Sequence, residues 1–292
     1  MLEYSILAGL LFGLYFSLVG LGLNLVFGVM RIVNLAHGDF VMLGALAACG
    51  LYGAYTVNPI AAAIGSLIIF IIIGFPLYYL LVPRLLKSPD PEMLSIILFF
   101  GFSQVIESIT TMVAGPTERS IPGNALGGSH PVTILGQTFP AAWVSSAIAS
   151  AIAVALLFLY LYHTRIGRLT RAVMVHREEA LATGIDVGKV SGLAFGIGLG
   201  LAAVAGTFAP FMLGGISPAS GVDLTIKSFT VIIVGSLGSP LGTVLGGLIY
   251  GVSLMIMQTY FSSWAGLLPY LLLIAILLVR PSGLLGRKVR HA

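Results

Sequence analysis

Residues 40–83 read FVMLGALAACGLYGAYTVNPIAAAIGSLIIFIIIGFPLYYLLVP, forty-four positions without an Asp, Glu, Lys or Arg. About 20 apolar residues carry a helix across the hydrocarbon core of a bilayer, so this stretch accommodates two crossings with a break between them. Charge-free intervals of the same kind run over 4–30, 120–164, 190–222 and 228–279. The whole 292-residue chain holds only 14 Lys or Arg and 10 Asp or Glu, with 58% hydrophobic residues. Soluble domains carry roughly one charged residue in four, so too little polar surface is available here to coat a water-soluble globule. A soluble enzyme and a disordered chain are excluded on that ground. Cys49 is the only cysteine and has no partner within the chain, which excludes a disulfide-built fold. The net charge of +4 does not argue for nucleic acid, because the basic residues sit at the borders of the apolar runs. Those runs far exceed the roughly ten-residue alternating strands of a membrane barrel. In lipid a segment must satisfy its own backbone, which selects helices. The expected fold is therefore all-α: a polytopic membrane protein with about eight transmembrane helices, some discontinuous, forming a single domain over 1–292. Met1-Leu2-Glu3 lacks a basic leader and is followed by a run too long for a signal peptide, so the first run reads as a span.

Hydropathy places candidate helices at about 5–27, 39–57, 60–82, 93–114, 140–162, 190–212, 227–238, 240–260 and 265–280. The segment 227–238 is short and meets Gly235-Ser236-Leu237-Gly238-Ser239-Pro240. A Gly/Pro-rich break inside a membrane run implies a discontinuous helix whose freed backbone groups are satisfied by protein or water. A second such break lies between Gly28 and Gly38. Lys and Arg accumulate in the short loops on the cytoplasmic side of membrane proteins. Segment 163–190 carries Arg165, Arg168, Arg171, Arg177 and Lys189, the tail carries Arg280, Arg287, Lys288 and Arg290, and loop 83–92 carries Arg84 and Lys87. The 25-residue loop 115–139 has Arg119 alone. These counts put 83–92, 163–190 and the C-terminus in the cytoplasm, and 115–139 outside. Three spans back, the N-terminus also falls outside.

Several chemistries find no signature. Neither Lys87-Ser88 nor Lys227-Ser228 follows the glycines of a phosphate-binding loop, so the chain has no ATP site of that kind. The five histidines never fall at HxxxH spacing, and no metal site is signalled. No serine lies in GxSxG, although an intramembrane enzyme with an unfamiliar site stays open as a minor alternative.

Four polar or small-residue features remain. His163 to Val190 is too long for a tight turn and has helical composition. Glu178-Glu179-Ala180 is followed by Gly184, a residue favoured just past a helix end. A short amphipathic helix there suits a partner's groove, or else a solvated cap on two spans. Arg31 to Asp39 is a polar cluster between two apolar runs. It reads as a hinge or pathway lining built on Asn34, His37, Gly38 and Asp39, or as a border pair of Arg31 with Asp39. Asn24, Gln104 and Glu107 are polar residues inside spans, and such groups face a cavity or a partner helix. Gln104 and Glu107, three apart, share a helical face. Lys227 can snorkel from its span. The GxxxG spacings Gly242/Gly246 and Gly247/Gly251, with Gly9/Gly13, are small-residue faces that let helices approach closely.

Taken together, these stretches resemble the membrane-spanning permeases of the high-affinity branched-chain amino acid ABC transporters, in the LivH-like, or H-type, branch. The resemblance is carried by GVMRIVNLAHGDFVMLGA (28–45), RIGRLTRAVMVHREEALATG (165–184), KSFTVIIVGSLGSPLGTVLGG (227–247) and RPSGLLG (280–286). Where family members often read Gly-Gly-Leu-Gly-Ser, this chain has Gly235-Ser236-Leu237-Gly238-Ser239. The resemblance implies a permease subunit of the bacterial inner membrane, forming the path for Leu, Ile and Val. It implies as partners a second, M-type permease, two cytoplasmic ATPases that bind the ATP and Mg, and a periplasmic binding protein. The chain itself would hold no cofactor and would not be an enzyme. Arg168, Arg171, Glu178, Glu179, Ala180 and Gly184 would belong to the segment that contacts an ATPase. Gly28 to Asp39, and Gly235 to Gly247 with Gly238 and Gly242, would form Gly-rich elements near the path. Relatives that carry urea, amides or other amino acids are the alternative within the family. An ion-coupled secondary transporter is the alternative outside it, and Asp39 and Glu107 are its acidic candidates.

Overall fold

A computed structural model of the chain describes residues 1–286. Arg287, Lys288 and Arg290, counted above among the cytoplasmic basic residues, lie outside the described residues. The helices are α1 (Leu2–Met30), α2 (His37–Tyr55), α3 (Pro59–Leu85), α4 (Pro91–Ala114), α5 (Ala141–His163), α6 (Arg165–Val175), α7 (Arg177–Ala182), α8 (Val187–Met212), α9 (Ser220–Gly235), α10 (Pro240–Tyr260) and α11 (Leu268–Val279). Eight helical segments among the described residues are long and apolar enough to span a bilayer, and α9, at 16 residues, is shorter. The architecture is the all-α polytopic one expected, and the chain is a multi-pass membrane protein.

Local chemistry sets the helix starts. Asn58 caps α3, accepting from the Ile60 amide at 2.8 Å, with Pro59 at the first helical position. Asp90–Pro91 and Ser239–Pro240 repeat the device at α4 and α10, and a side-chain oxygen satisfies an orphan amide each time. Asp186 caps α8. The Lys189 amide and ammonium hold its carboxyl below the usual range.

Lipid tails are as apolar as leucine, so helix association in a membrane depends on close packing and buried polar bonds rather than on hydrophobic transfer. The α1–α10 pair follows that rule. The two helices run antiparallel, with Ser5 beside Thr259 and Ser17 donating to the Val244 carbonyl at 3.1 Å. Gly251 sits directly on the backbone of Gly13, where a Cβ has no room. The buried helix α8 lies against α1, α2 and α3. Small residues again meet: Gly206 rests on Val41, Gly198 on Gly22, and Gly196 on Ile71. The large apolar side chains of α3, α4, α5 and α11 point outward, as lipid- or partner-facing surfaces do.

The two ends of the bundle differ. One end gathers the N-terminus, the 115–139 loop and the α8–α9 link. There Arg119 and Ile216 exchange backbone hydrogen bonds at 2.9 Å, and a short hairpin, β1 (Val132–Ile134) and β2 (Gln137–Phe139), stacks Phe139 on Tyr4. The other end gathers the close of α1, the α3–α4 turn, α6–α7 and residues 280–286, whose Leu284 amide donates to the Val234 carbonyl at 3.0 Å.

Two readings of the elements need correction. The 163–190 segment holds two helices rather than one, because His176 is extended (φ −143°, ψ 97°) and separates α6 from α7. The helix expected at 227–238 instead spans 220–235. Asp223 and Lys227, one turn apart on it, form an ion pair, so the charge of Lys227 is neutralised within the helix.

Candidate functional site

The α6–α7 segment turns sharply off α5. Thr164 caps α6 by accepting from the Gly167 amide at 2.9 Å, and Gly167 lies over the Tyr160 carbonyl with no room for a side chain. Helix α6 buries Gly167, Thr170, Val173 and Met174, spaced for one face, while Ile166 and Leu169 stay exposed, each directly after an arginine (Arg165 and Arg168). Helix α7 presents Glu178 and Glu179 to the outside and buries Ala180. It closes at Gly184, whose φ of 83° lets the Ile185 amide reach back to the Ala180 carbonyl at 3.1 Å. Of the segment's expected contact residues, Arg168, Glu178, Glu179 and Gly184 are exposed. Arg171 is engaged internally, donating to the Leu161 carbonyl at 2.9 Å with its guanidinium 4.2 Å from the centre of the Tyr162 ring.

Behind this segment the two Gly-broken regions meet. Helix α1 ends at Arg31, a left-handed cap (φ 57°). Residues 31–36 then run back along α1 as non-helical chain. Helix α2 starts beside Val19: His37 Nε2 lies 3.0 Å from the Val19 carbonyl and, facing an acceptor, carries the proton. Val19 precedes the end of α1 by eleven residues, about 16 Å of helical rise, so α2 begins well inside the bundle. Side chains and neighbouring helices satisfy several of the freed backbone groups of this re-entrant stretch. The Val33 amide donates to Ser95, the Ala36 amide to Asn34 Oδ1 and the Gly38 amide to Thr225, whose hydroxyl donates to the Leu35 carbonyl.

The second break, 236–239, is held by Asn24. Its Oδ1 accepts from the Gly238 amide at 2.7 Å, while Nδ2 donates to the Ser239 carbonyl at 3.0 Å, the Ser236 carbonyl at 3.4 Å and the Thr243 hydroxyl. Gly235 and Gly242 pack backbone to backbone across the break, and Gly28 lies against Gly238. The α6–α7 segment touches this junction directly. Met174 packs on Gly28, Arg31 donates to the Met174 carbonyl at 3.3 Å, and Arg177 donates to the Val29 carbonyl at 3.1 Å. Arg31 thus ties the close of α1 to the end of α6, and Arg177 ties the start of α7 to the last turn of α1, each on a carbonyl at the negative pole of a helix.

The remaining polar residues divide. Asp39 is fully buried in the first turn of α2, toward Ser103 and Glu107, and neither of its oxygens has a hydrogen-bond partner among the described residues. It is not paired with Arg31, which is exposed and bound to Met174, so the border-pair reading is replaced. Gln104 faces outward and Glu107 is half-buried. Sequence reasoning missed Arg177, Met174, Ser95 and Thr225 as parts of the junction. Arg177 differs in no local pattern from the other arginines of its segment, and Ser95 and Thr225 have no periodic signal. Only their distant partners distinguish them.

Residues 5–277 match the model of the family described as branched-chain amino acid transport system / permease component. Among curated proteins, the high-affinity branched-chain amino acid transport system permease protein LivH of Salmonella typhimurium is 28% identical over 295 residues, covering 96% of this chain and 94% of its own. BraD of Pseudomonas aeruginosa, a permease protein of the same description, is 28% identical over 296 residues with the same two coverages. The probable LivH of Methanocaldococcus jannaschii is 29% identical over 283 residues, 92% of this chain and 88% of its own. No solved structure matches the chain. With all but the extreme ends matched by one family, and with both Gly-broken elements and the arginine-rich segment inside the matched region, the chain belongs to the branched-chain amino acid transport system permease family and is LivH-like.

Proposed function

We infer that this chain, acting as one domain over 1–292, is the permease subunit of an ATP-driven importer, and that its cargo is the branched-chain amino acids named for its relatives. In this reading it pairs with a second permease, takes its substrate from a periplasmic binding protein and is powered by two cytoplasmic ATPases. ATP and Mg then belong to those partners, and the chain is not itself an enzyme. It lies in the inner membrane with the α6–α7 end in the cytoplasm and the N-terminus and the 115–139 loop outside, consistent with the distribution of Lys and Arg.

The observation that supports the coupling role is the contact of the α6–α7 segment with the first broken element, at Gly28, Val29 and Arg31, through Met174 and Arg177. Exposed Ile166, Leu169 and Leu181 interleaved with Arg165, Arg168, Glu178 and Glu179 offer an ATPase groove both apolar contact and charge. Displacement of α6 by the ATPase pair then pushes on Gly28 and on the end of α1. Across Gly28–Gly238 and Asn24 the push reaches the 236–239 break. Such breaks are where a bundle of rigid helices yields. Asn24, Asn34, His37, Gly38, Asp39, Gly235, Gly238 and Gly242 serve this reading as hinge residues, with Glu107 beside Asp39, and Gln104 serves on the outer face of α4.

Reconstitution with the two ATPases, the second permease and the binding protein tests it. Labelled leucine should accumulate in vesicles only when ATP reaches the ATPases. Uptake without ATP that follows a proton or sodium gradient would instead favour the ion-coupled alternative, for which buried Asp39 is the group to replace. ATP-driven uptake of urea or amides but not leucine would move the substrate within the family.

A further inference from the structure

At the end of the bundle opposite α6–α7, a cavity of about 620 Å³ lies among α1, α5, α8, α9, α10 and α11, within the range of ligand pockets. Its lining differs from the apolar character of the chain. The Asp223–Lys227 pair stands on one side with Gln258, while Phe12 and Trp143 form an apolar wall. Tyr250, also in the lining, is completely buried, and its hydroxyl has no hydrogen-bond partner among the described residues. Lys227 is no snorkelling border residue: its side chain is 21% exposed, against 61% for Asp223, so its ammonium is largely enclosed.

We propose that this cavity binds an aliphatic amino-acid zwitterion, the ligand carboxylate on Lys227, its ammonium on Asp223 and its side chain against Phe12 and Trp143. The proposal rests on the importer function inferred above and adds a substrate site within this one subunit. The chemistry selects the ligand by charge. A net anion or cation would leave one member of the ion pair unmatched, whereas a zwitterion meets both signs and adds no net charge. A single carboxylate does not make a cation site. A lipid ethanolamine headgroup also carries an ammonium beside an anion, so the test separates the two sources.

The measurement is equilibrium binding of tritiated leucine to the assembled importer, with the binding protein omitted, in nanodiscs of phosphatidylcholine. Saturable binding is expected. Lys227→Met should weaken it by about tenfold or more, as expected for loss of a charged hydrogen bond. Lys227→Arg should retain it. Isovalerate, which lacks the ammonium, isoamylamine, which lacks the carboxylate, and phosphoethanolamine should fail to displace leucine. Absence of saturable binding, equal affinity in wild type and Lys227→Met, or displacement by phosphoethanolamine overturns the site. ATP-driven leucine uptake measured with the binding protein restored separates the two readings: uptake with an unaffected Lys227→Met variant refutes the cavity alone, and absence of any leucine uptake refutes the function.

Discussion

Ser236 has φ 121° and ψ 129°, a region that glycine enters freely and L side chains rarely occupy. It is the position where this chain has serine in a motif that resembles Gly-Gly-Leu-Gly-Ser. Gly283 packs against its Cα, and its carbonyl accepts from Asn24, so the surroundings hold the strained conformation in place. Ser236→Gly should therefore stabilise the protein by about 1 kcal/mol, the relief of backbone strain exceeding glycine's extra unfolded-state entropy. A raised midpoint in thermal unfolding of the detergent-solubilised protein checks this, and a lowered midpoint would contradict it. Asn24 is the opposite case, a residue whose loss is not tolerated. Asn24→Leu fits the volume but leaves the Gly238 amide unpaired inside the bundle and takes one donor each from the Ser236 and Ser239 carbonyls. The expected cost is about 2–4 kcal/mol, seen in the same assay.

Two contacts between elements determine the mechanics. The first is α1 on α10, where Gly251 leaves room for the backbone of Gly13. Gly251→Leu should force the helices apart at a cost of about 3 kcal/mol or more, and the variant should fail to give a monodisperse protein. The second is α6–α7 on the end of α1. Glu178 and Glu179 are exposed and outside the internal ties, whereas Arg177 is bound to the Val29 carbonyl. Charge reversal at Glu178 and Glu179 should leave insertion and stability intact while lowering transport-coupled ATPase activity by about tenfold, as expected for opposing charges at a docked interface. Unchanged turnover in that double variant would refute docking through α7.

For the whole molecule, the two ends differ in charge and in construction, and the orientation inferred for them can be tested directly. In a chain whose buried Cys49 is replaced by Ala, a cysteine introduced at exposed Leu135 should react in intact cells with a membrane-impermeant maleimide. One introduced at Thr183, in the loop after α7, should react only after the cells are opened. The reverse pattern would invert the molecule and remove the α6–α7 segment from any cytoplasmic ATPase.

Hydropathy and helix-breaking chemistry act over neighbouring residues. The membrane class, the long helices, their Asn/Asp/Ser-Pro starts and the two Gly-broken regions could therefore be read from the amino acids in order. The polar contacts join residues far apart in the chain. Asn24 meets the backbone more than 200 positions away, Arg177 meets Val29, and Thr225 meets Gly38. None of these pairs leaves a periodic trace, because a buried donor is satisfied by whichever acceptor the packed helices bring to it. Composition and order along the chain fixed that this protein lives in lipid and where its helices yield. Three-dimensional packing decided that the two yielding points touch each other, that the first of them meets the arginine-rich segment, and that Asp223 and Lys227 share one cavity with Phe12 and Trp143.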